Sequence, residues 1–304
     1  MKHIINKMVY SLSAPINKNV VWIKPTGNGT FEMRIYYNNT WVPISSGGSG
    51  VTEEEDTQPS SPNLVCVYDI TDTSRETQIL HNYGLPYVTN MIVDGVEMDV
   101  DSYYQFDTVG NHVIEFVLDD PTTIGHDTFK NCTSLTGVTI PDGVTIIDYN
   151  TFTSCSNLTS VIIPGSVTSL ESEAFRYCSS LTSVTIPNSV TTIGSMVFCD
   201  CTSLTSITIP DSVTEIGNYA FGSCTSLTSI TIGRGVTSIG EMTFNNCSLI
   251  TSIICYATTA PSIRSGTFNM IRQDGTLYVP TGSDYSSWMI WDNLGHHNWT
   301  IQYI

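Results

Sequence analysis

The chain has 304 residues, of which 28 are acidic and 11 basic, so its formal net charge is −17. A protein that tracks nucleic-acid phosphates or an anionic membrane surface needs a basic footprint, so this charge argues against both partners. Hydrophobic residues make up 40% of the chain, which excludes wholesale disorder, and no apolar run approaches the ~18 residues of a membrane span.

Residues 18–45 are predicted to form a three-stranded meander. The segments VVWI, FEMRIYY and TWVPI are rich in β-branched and aromatic residues, and Gly27-Asn28-Gly29 and Asn38-Asn39 supply the turns. The stretch VVWIKPTGNGTFEMRIYYNNTWVPI is similar in pattern to short modules near the N-termini of bacteriophage fibre proteins. That resemblance implies an attachment role.

A sheet this small rarely stands alone. We therefore expect residues 1–45 to attach the protein to a virion or cell-envelope protein, or to form a homo-oligomer. The apolar residues expected to make this attachment are Trp22, Phe31, Ile35 and Trp41. The first 16 residues lack a secretory signal pattern, so we expect either that a signal peptide has been removed or that the chain is made in a cytoplasm.

Residues 46–62, SGGSGVTEEEDTQPSSP, have the composition of a flexible linker. Residues 63–111 predict a small β domain of about five strands that caps the next region, with Asp94-Gly95 as a two-residue hairpin turn. An acidic cluster, Asp94, Glu97, Asp99 and Asp101, follows the same hairpin. It is interpreted as a solvated hairpin, with a calcium site as the alternative, although the EF-hand pattern is absent.

Several residue types then repeat at a constant interval of 23 residues. One unit reads LTSITIPDSVTEIGNYAFGSCTS, residues 204–226. The repeated columns are Cys132, Cys155, Cys178, Cys201, Cys224 and Cys247; Phe129, Phe152, Phe175, Phe198, Phe221 and Phe244; Leu135, Leu158, Leu181, Leu204 and Leu227; and Pro141, Pro164, Pro187 and Pro210. A fixed period of this length indicates a repeat architecture.

Each unit is predicted to begin with a short strand. In this strand Ile207 and Ile209 point inward, Ser206 and Thr208 point outward, and Pro210 ends the strand. Val213 and Ile216 turn the chain, and Ala220, Phe221 and Cys224 recur at helical spacing, which predicts about one turn of α or 3₁₀ helix.

No unit this small buries its apolar face alone, so the units must stack, with their strands forming one parallel sheet. The predicted fold class is mostly β. It is a right-handed leucine-rich-repeat solenoid over residues 112–273, preceded by the small β domain and the N-terminal meander.

Repeats of the form LTSVTIPNSVTTIG, followed by the Phe and Cys columns, resemble the BspA-like leucine-rich-repeat family of bacterial surface proteins. The similarity covers about residues 112–304, and LYVPTGSDYSSW (277–288) resembles the C-terminal cap of that family. The usual Asn ladder is absent, and its place is taken by Gly143, Ser166, Ser189, Ser212 and Gly235. The resemblance implies an exposed interaction scaffold, often adhesive, with no catalytic residues to carry over.

Residues 274–304 are predicted to cap the end of the solenoid. Their aromatic residues are Tyr285, Trp288, Trp291, Trp299 and Tyr303. We interpret most of them as closing the open end of the core, with a carbohydrate-stacking platform as the alternative.

The titratable residues do not point to an enzyme. The column cysteines are spread along the repeat array and do not converge on one point, so we expect a buried, reduced ladder and no metal site. No HExxH, GxSxG or phosphate-loop pattern occurs. His296-His297 with Asp292 is interpreted as a solvated tail, with adventitious metal binding as the alternative. No cofactor is expected.

The outward strand positions form the predicted ligand-binding surface. Stacking places their small hydroxyl side chains in a flat, uncharged lattice that could bind a host surface protein or a glycan; alternatively, Ser and Thr there only solvate the sheet. The predicted residues are Thr139, Ser160, Ser183, Thr185, Ser206, Thr208, Ser229 and Thr231.

Two functions fit these features. The favoured hypothesis is a phage virion appendage of the head- or tail-fibre type, made in the host cytoplasm and displayed on the virion surface, because the attachment-tether-display arrangement needs no secretory signal. The alternative is a BspA-like adhesin on a bacterial cell surface or in the extracellular medium.

Overall fold

The structure is a computed structural model. It describes the backbone of residues 21–26, 30–37 and 40–43, and the backbone and side chains of residues 63–289 and 298–304. The chain divides into two compact units, Met1–Asp56 and Thr57–Ile304. The predicted linker at 46–62, Trp291 and the Asp292, His296 and His297 group lie outside the described residues, so the predictions for them stay predictions.

The first unit contains the predicted antiparallel meander. Its strands are β1 (Val21–Thr26), β2 (Thr30–Tyr37) and β3 (Thr40–Pro43), in that spatial order. In the strand register, Trp22 pairs with Arg34 and Trp41 pairs with Tyr36, whereas Ile35 pairs with both Val21 and Val42. Trp22 and Trp41 therefore occupy one set of alternating positions, and Ile35 occupies the other.

Six strands precede the repeats. They are β4 (Leu64–Ile70), β5 (Thr77–Gln78), β6 (Val88–Val93), β7 (Val96–Met98), β8 (Tyr103–Tyr104) and β9 (Gly110–Leu118). The turn Asp94-Gly95 joins β6 to β7 as predicted, and both residues have positive φ, 48° and 83°. Such angles are those of the tight two-residue hairpin turns that Asp-Gly favours.

Residues 112–118 lie in β9, and this strand does not belong to the stacked repeats. It lies between β4 and β6 and pairs antiparallel with both. The predicted solenoid range, 112–273, therefore begins inside β9, and the first repeat strand, Leu135–Thr139, has β4 as its antiparallel neighbour. The N-terminal segment thus continues the sheet of the repeats.

The repeats wind into coils with two rows of parallel strands, where the sequence predicted one sheet. The outer row contains β11 (Leu135–Thr139), β13 (Ser160–Ile162), β15 (Ser183–Thr185), β17 (Ser206–Ile209), β19 (Ser229–Ile232), β21 (Ser252–Cys255), β23 (Asp274–Val279) and β24 (Asn298–Tyr303). The second row contains β10 (Thr123–Ile124), β12 (Ile146–Ile147), β14 (Ser169–Leu170), β16 (Thr192–Ile193), β18 (Glu215–Ile216), β20 (Ser238–Ile239) and β22 (Ser262–Ile263). Two residues per coil are too few for an alternating pattern to reveal a strand in the sequence.

Both rows are hydrogen-bonded from coil to coil. The second row is one seven-stranded parallel sheet, and the outer row runs from β4 through β15 and then from β17 through β24. Across the gap between β15 and β17, Thr205 N donates to Thr182 O over 3.4 Å. Each coil therefore contributes one strand to each of two faces.

The third side of each coil consists of turns, not of the predicted helical turn. Tyr219 and Ser223 flank Phe221 with φ of 54° and 58°, and equivalent pairs recur in the neighbouring coils. Left-handed backbone breaks a helix. Phe198 N instead donates to Ala220 O of the next coil over 2.8 Å. Among the described residues the helices are the short 3₁₀ segments Asn82–Tyr87 and Ser286–Met289, and none is long and apolar enough to cross a bilayer.

The core of the second unit is continuous from β4 to β24. Its centre is a column of seven phenylalanine rings, one per coil, with neighbouring centroids 5.2–5.7 Å apart and interplanar angles of 5–14°. Phe116 meets the first ring edge-on, and Trp288 covers the last ring. The aromatic column therefore joins all the coils into one hydrophobic core.

Candidate functional site

The outward strand face is built by the alternation of the outer-row strands. In β17, Ile207 and Ile209 are buried while Ser206 and Thr208 are exposed. Strand register then aligns equivalent residues, so that Ser206 lies beside Ser229 and Thr208 beside Thr231. The eight predicted side chains all lie outside the core, half-buried or exposed, in two columns: Thr139, Ser160, Ser183, Thr185, Ser206, Thr208, Ser229 and Thr231. Their role in binding stays a prediction.

The structure separates two kinds of hydroxyl along these strands. Thr205 lies next to Ser206 in the chain, yet its Oγ1 donates to Thr182 O of the preceding coil over 3.4 Å. The same bond recurs at other coils, for example from Thr159 to Thr136 and from Thr228 to Thr205, both over 3.0 Å. Hydroxyls of this column are therefore engaged in holding the coils together.

A serine column performs a similar task at the end of the strands. Ser166, Ser189 and Ser212 each donate to a carbonyl of the preceding coil, at 2.7, 2.5 and 2.7 Å. These residues occupy the place of the absent Asn ladder, and their hydroxyls satisfy carbonyl oxygens that would otherwise be unpaired.

By contrast, the eight predicted hydroxyls have no hydrogen-bond partner among the described residues. From β11 to β21 the outward positions also carry no charge; the larger side chains there are Ile162 and Ile254. A ligand that approaches this face meets free hydroxyl donors and acceptors on a rigid sheet, with no charged group to desolvate.

The cysteine column lies behind this face and is fully buried, as predicted. The thiols of Cys155, Cys178, Cys201, Cys224 and Cys247 donate to the carbonyl oxygen of the phenylalanine one coil earlier, at 3.0–3.3 Å. Burial raises the pKa of the Cys155 and Cys178 thiols well above the usual value, which keeps them protonated and unreactive. These thiols thus have a structural role.

The aromatic residues of the C-terminal cap mostly close the core. Tyr285, Trp288 and Trp299 are buried, and Trp288 Nε1 donates to Pro261 O over 2.9 Å. Tyr303 is exposed and does not contribute to the closure. The buried rings cannot serve as the alternative carbohydrate platform, because their faces are covered.

The acidic cluster does not converge on one point. Asp94 accepts from His112 Nδ1 at 2.6 Å and from Val113 N at 2.9 Å. Glu97 accepts from Asn90 at 2.8 Å, and Asp101 accepts from Ser102 N at 2.6 Å. No group of three or more His, Cys, Asp or Glu side chains within residues 63–289 and 298–304 is arranged to hold a metal ion.

One arrangement has the composition of a catalytic triad without its geometry. His112 lies between Asp94 and Thr108, with 3.3 Å from Nε2 to the Thr108 hydroxyl. The same nitrogen is closer to the Thr108 carbonyl oxygen, at 2.9 Å. A catalytic base needs its ring nitrogen within hydrogen-bond reach of the nucleophile, at about 2.6–3.2 Å. Here the nitrogen is nearer to the carbonyl than to the hydroxyl, so the group lacks the geometry of an activated nucleophile.

One exposed feature was not predicted from the sequence. The rings of Tyr83, Tyr87, His126 and Tyr149 are grouped beside the first coils. The available signal was a departure from the repeat: the positions 23 and 46 residues after Tyr149 carry Ser172 and Ser195. The position of Tyr83 has no such signal, because it depends on the packing of a separate segment.

Comparisons with known proteins agree with this architecture. The profile of the BspA type leucine rich repeat region, with six copies, matches residues 103–205 and 191–285. The chain belongs to the BspA-type leucine-rich-repeat family. A search of curated proteins found no match.

Three solved structures are similar to parts of the chain. The T. pallidum leucine rich repeat protein TpLRR is 31% identical over 43% of this chain and 62% of its own, with a TM-score of 0.43. A leucine rich cell surface protein from Faecalibacterium prausnitzii is 33% identical over 52% of each chain, with a TM-score of 0.43. The pneumococcal vaccine antigen PcpA is 18% identical over 62% of this chain and 46% of its own, with a TM-score of 0.47.

The chain therefore spans less than two thirds of the length of each of these proteins. The family match agrees with the alternative hypothesis, a BspA-like surface protein. None of the comparisons supports the predicted phage appendage.

Proposed function

We propose that this BspA-type protein is a non-enzymatic binding scaffold displayed on a bacterial cell surface, and that its outward strand face contacts a host surface protein or glycan. The observation that carries the proposal is the double column of unengaged hydroxyls on that face. Neighbouring hydroxyl columns in the same strands are engaged in coil stacking, for example Thr205 with Thr182.

The properties of the face agree with adhesion to an extended, uncharged surface. The net charge of −17 is carried by other parts of the chain than the outward positions of β11 to β21. Equivalent hydroxyls repeat at the strand spacing of ~4.8 Å, so a long ligand can meet the same groups in successive coils. Many equivalent weak contacts give avidity without high affinity at any one point.

The first unit is proposed as the attachment element, with a cell-envelope protein or a second copy of this chain as its partner. The backbone of residues 21–43 forms a three-stranded sheet in a compact unit separate from the repeats. Trp22, Phe31, Ile35 and Trp41 remain the residues proposed to make the contact.

The binding face is tested by introducing a charge into it. The full chain with Thr208→Arg should lose binding to an array of glycans and immobilised host matrix proteins. Thr192→Arg is the matched control, because Thr192 is also exposed on a strand, but in the second row. Equal binding by the two variants would contradict the proposed face.

The location is tested separately by fractionation of the producing bacterium. Antibody against residues 63–304 should label intact cells. Recovery of the protein in purified phage particles and not at the cell surface would favour the virion appendage instead.

A further inference from the structure

Five aromatic and imidazole rings form a continuous group on the surface beside the first two coils. We call His81, Tyr83, Tyr87, His126 and Tyr149 the aromatic cluster. His126 is at its centre: it stacks on Tyr149 with centroids 5.0 Å apart and an angle of 13°, and meets Tyr87 edge-on at 5.3 Å. Tyr83 lies 6.5 Å from His126 and 5.2 Å from His81.

Backbone contacts fix the position of this cluster. The 3₁₀ segment Asn82–Tyr87 is fastened at both ends: His81 N donates to Thr128 O of the first coil, and Asp119 N, just after β9, donates to Tyr87 O, both over 2.9 Å. The Tyr87 ring packs directly on Gly125, where any Cβ would collide with it. The rings are therefore held in place before any ligand arrives, which lowers the entropic cost of binding.

The cluster presents both apolar ring faces and unengaged polar groups. Tyr83 is 61% exposed and Tyr149 is 44% exposed. The hydroxyls of Tyr83, Tyr87 and Tyr149 have no hydrogen-bond partner among the described residues. Asp148 Oδ1 accepts from the backbone N of Tyr149 over 2.7 Å, so a carboxylate lies beside this ring as a further acceptor.

We propose that the aromatic cluster is a binding site for the neutral hexose units of a glycan. A hexose has an apolar face of C–H groups that packs on an exposed ring and a rim of hydroxyls that needs nearby donors and acceptors. The outer faces of Tyr83 and Tyr149 supply the stacking surface. The phenol hydroxyls and Asp148 supply the hydrogen-bond donors and acceptors. The charge of −17 disfavours uronic or sialic acids.

This site goes beyond the proposed function, because it shares no residue with the outward strand face. The variants separate the two sites: glycan binding that Tyr149→Ala removes and Thr208→Arg keeps belongs to the aromatic cluster, whereas binding that Thr208→Arg removes and Tyr149→Ala keeps belongs to the outward strand face.

The test uses the full chain with neutral hexaoses of glucose, mannose, galactose and N-acetylglucosamine as probes, and a hexa-uronate as the anionic comparison. Saturation-transfer NMR and calorimetry measure binding. Tyr149→Ala and Tyr83→Ala should each weaken binding of a neutral hexaose at least tenfold, whereas Tyr149→Trp, which keeps a stacking face, should retain it. Tyr177→Ala is the matched control, because Tyr177 is exposed on a later coil and lies against Arg176.

The proposal is supported if a neutral hexaose binds, both alanine variants lose it, and Tyr177→Ala and Tyr149→Trp keep it. It is overturned if none of the neutral hexaoses binds, if only the hexa-uronate binds, or if Tyr177→Ala weakens binding as much as Tyr149→Ala. Binding by Tyr149→Ala at wild-type strength, with an unchanged unfolding midpoint, overturns it as well.

Discussion

The thiol of Cys178 donates a hydrogen bond to the carbonyl oxygen of Phe152, one coil earlier, with 3.3 Å between sulfur and oxygen. The thiol thus links the same two coils that the stacked rings of Phe152 and Phe175 link. Ionisation of the thiol would remove the donor and place an unsolvated charge in the core, which is why burial raises its pKa.

The stability of the protein should therefore fall in alkaline solution. The folded chain keeps these protons at a pH where unfolded thiols lose theirs, so unfolding releases protons and the free energy of unfolding decreases as the pH rises above about 9. Each buried thiol contributes a slope of about 1.4 kcal/mol per pH unit there. Urea unfolding between pH 7 and pH 10 measures this slope. Cys178→Ala removes one buried thiol, so it should reduce the slope by the contribution of one released proton. Constant stability over this range would show that the thiols are not retained in the core.

Removal of one ring from the aromatic column should be costly. Phe198 is fully buried, and its ring lies 5.5 Å from those of both Phe175 and Phe221. Phe198→Ala should lower the free energy of unfolding by about 3–5 kcal/mol, since it leaves a cavity and interrupts the stack. Thr208→Ala, on the outward face of the same region, should stay within about 0.5 kcal/mol. Equal losses in denaturant midpoint would contradict the facing of the strands.

Replacing two serines by alanine should change the free energy of unfolding by different amounts, although the removed hydroxyls are chemically identical. Ser189→Ala removes a hydroxyl that donates to Val167 O at 2.5 Å and leaves that carbonyl unpaired. We expect a loss of about 1–2 kcal/mol in the free energy of unfolding. Ser206→Ala removes an unengaged hydroxyl and should cost about 0.5 kcal/mol or less. Thermal unfolding of the two variants side by side tests whether the Ser column replaces the Asn ladder.

The left-handed turn positions should accept glycine. Ser223 has φ of 58°, where a side chain is disfavoured by about 1–2 kcal/mol, and its backbone N donates to Asn245 O of the next coil. Ser223→Gly should stabilise the protein by about 0.5–1 kcal/mol. Ser226→Gly, at a nearby turn residue whose φ is not positive, should destabilise it, because glycine only adds freedom to the unfolded chain there. A loss of stability in both variants would contradict the left-handed conformation.

The two units should separate cleanly by truncation at Pro62. Residues 63–304 should fold alone into a β-rich monomer with the same unfolding midpoint as in the full chain, because their core is self-contained. The full chain should oligomerise or bind envelope fractions, and light scattering and pelleting assays distinguish these states. If the truncated protein pellets with envelopes as well as the full chain does, residues 1–45 are not the attachment element.

Much of the fold could be predicted because the repeat leaves few alternatives. A unit with Ile207, Ile209, Phe221 and Cys224 at fixed positions has one apolar side, and only stacking buries it. The hairpin at Asp94-Gly95 could also be predicted, since the preference of Asp-Gly for this turn is a local property of the two residues. The left-handed turns on the third side of each coil could not be predicted, because a methionine such as Met196 has no intrinsic preference for its φ of 57°. Hydrogen bonds to the next coil hold this conformation, for example from Met196 N to Asn218 O at 2.9 Å.

By itself, the sequence determined the 23-residue period, which side chains enter the core, and membership of a solenoid family. Only the tertiary structure decided which hydroxyls are free to bind. Thr205 and Ser206 are adjacent and similar in chemistry, yet Thr205 bonds to Thr182 O and Ser206 has no partner among the described residues. The physical reason is that the acceptor lies 23 residues away, and the stacking of the coils brings it to one side chain and not to the other.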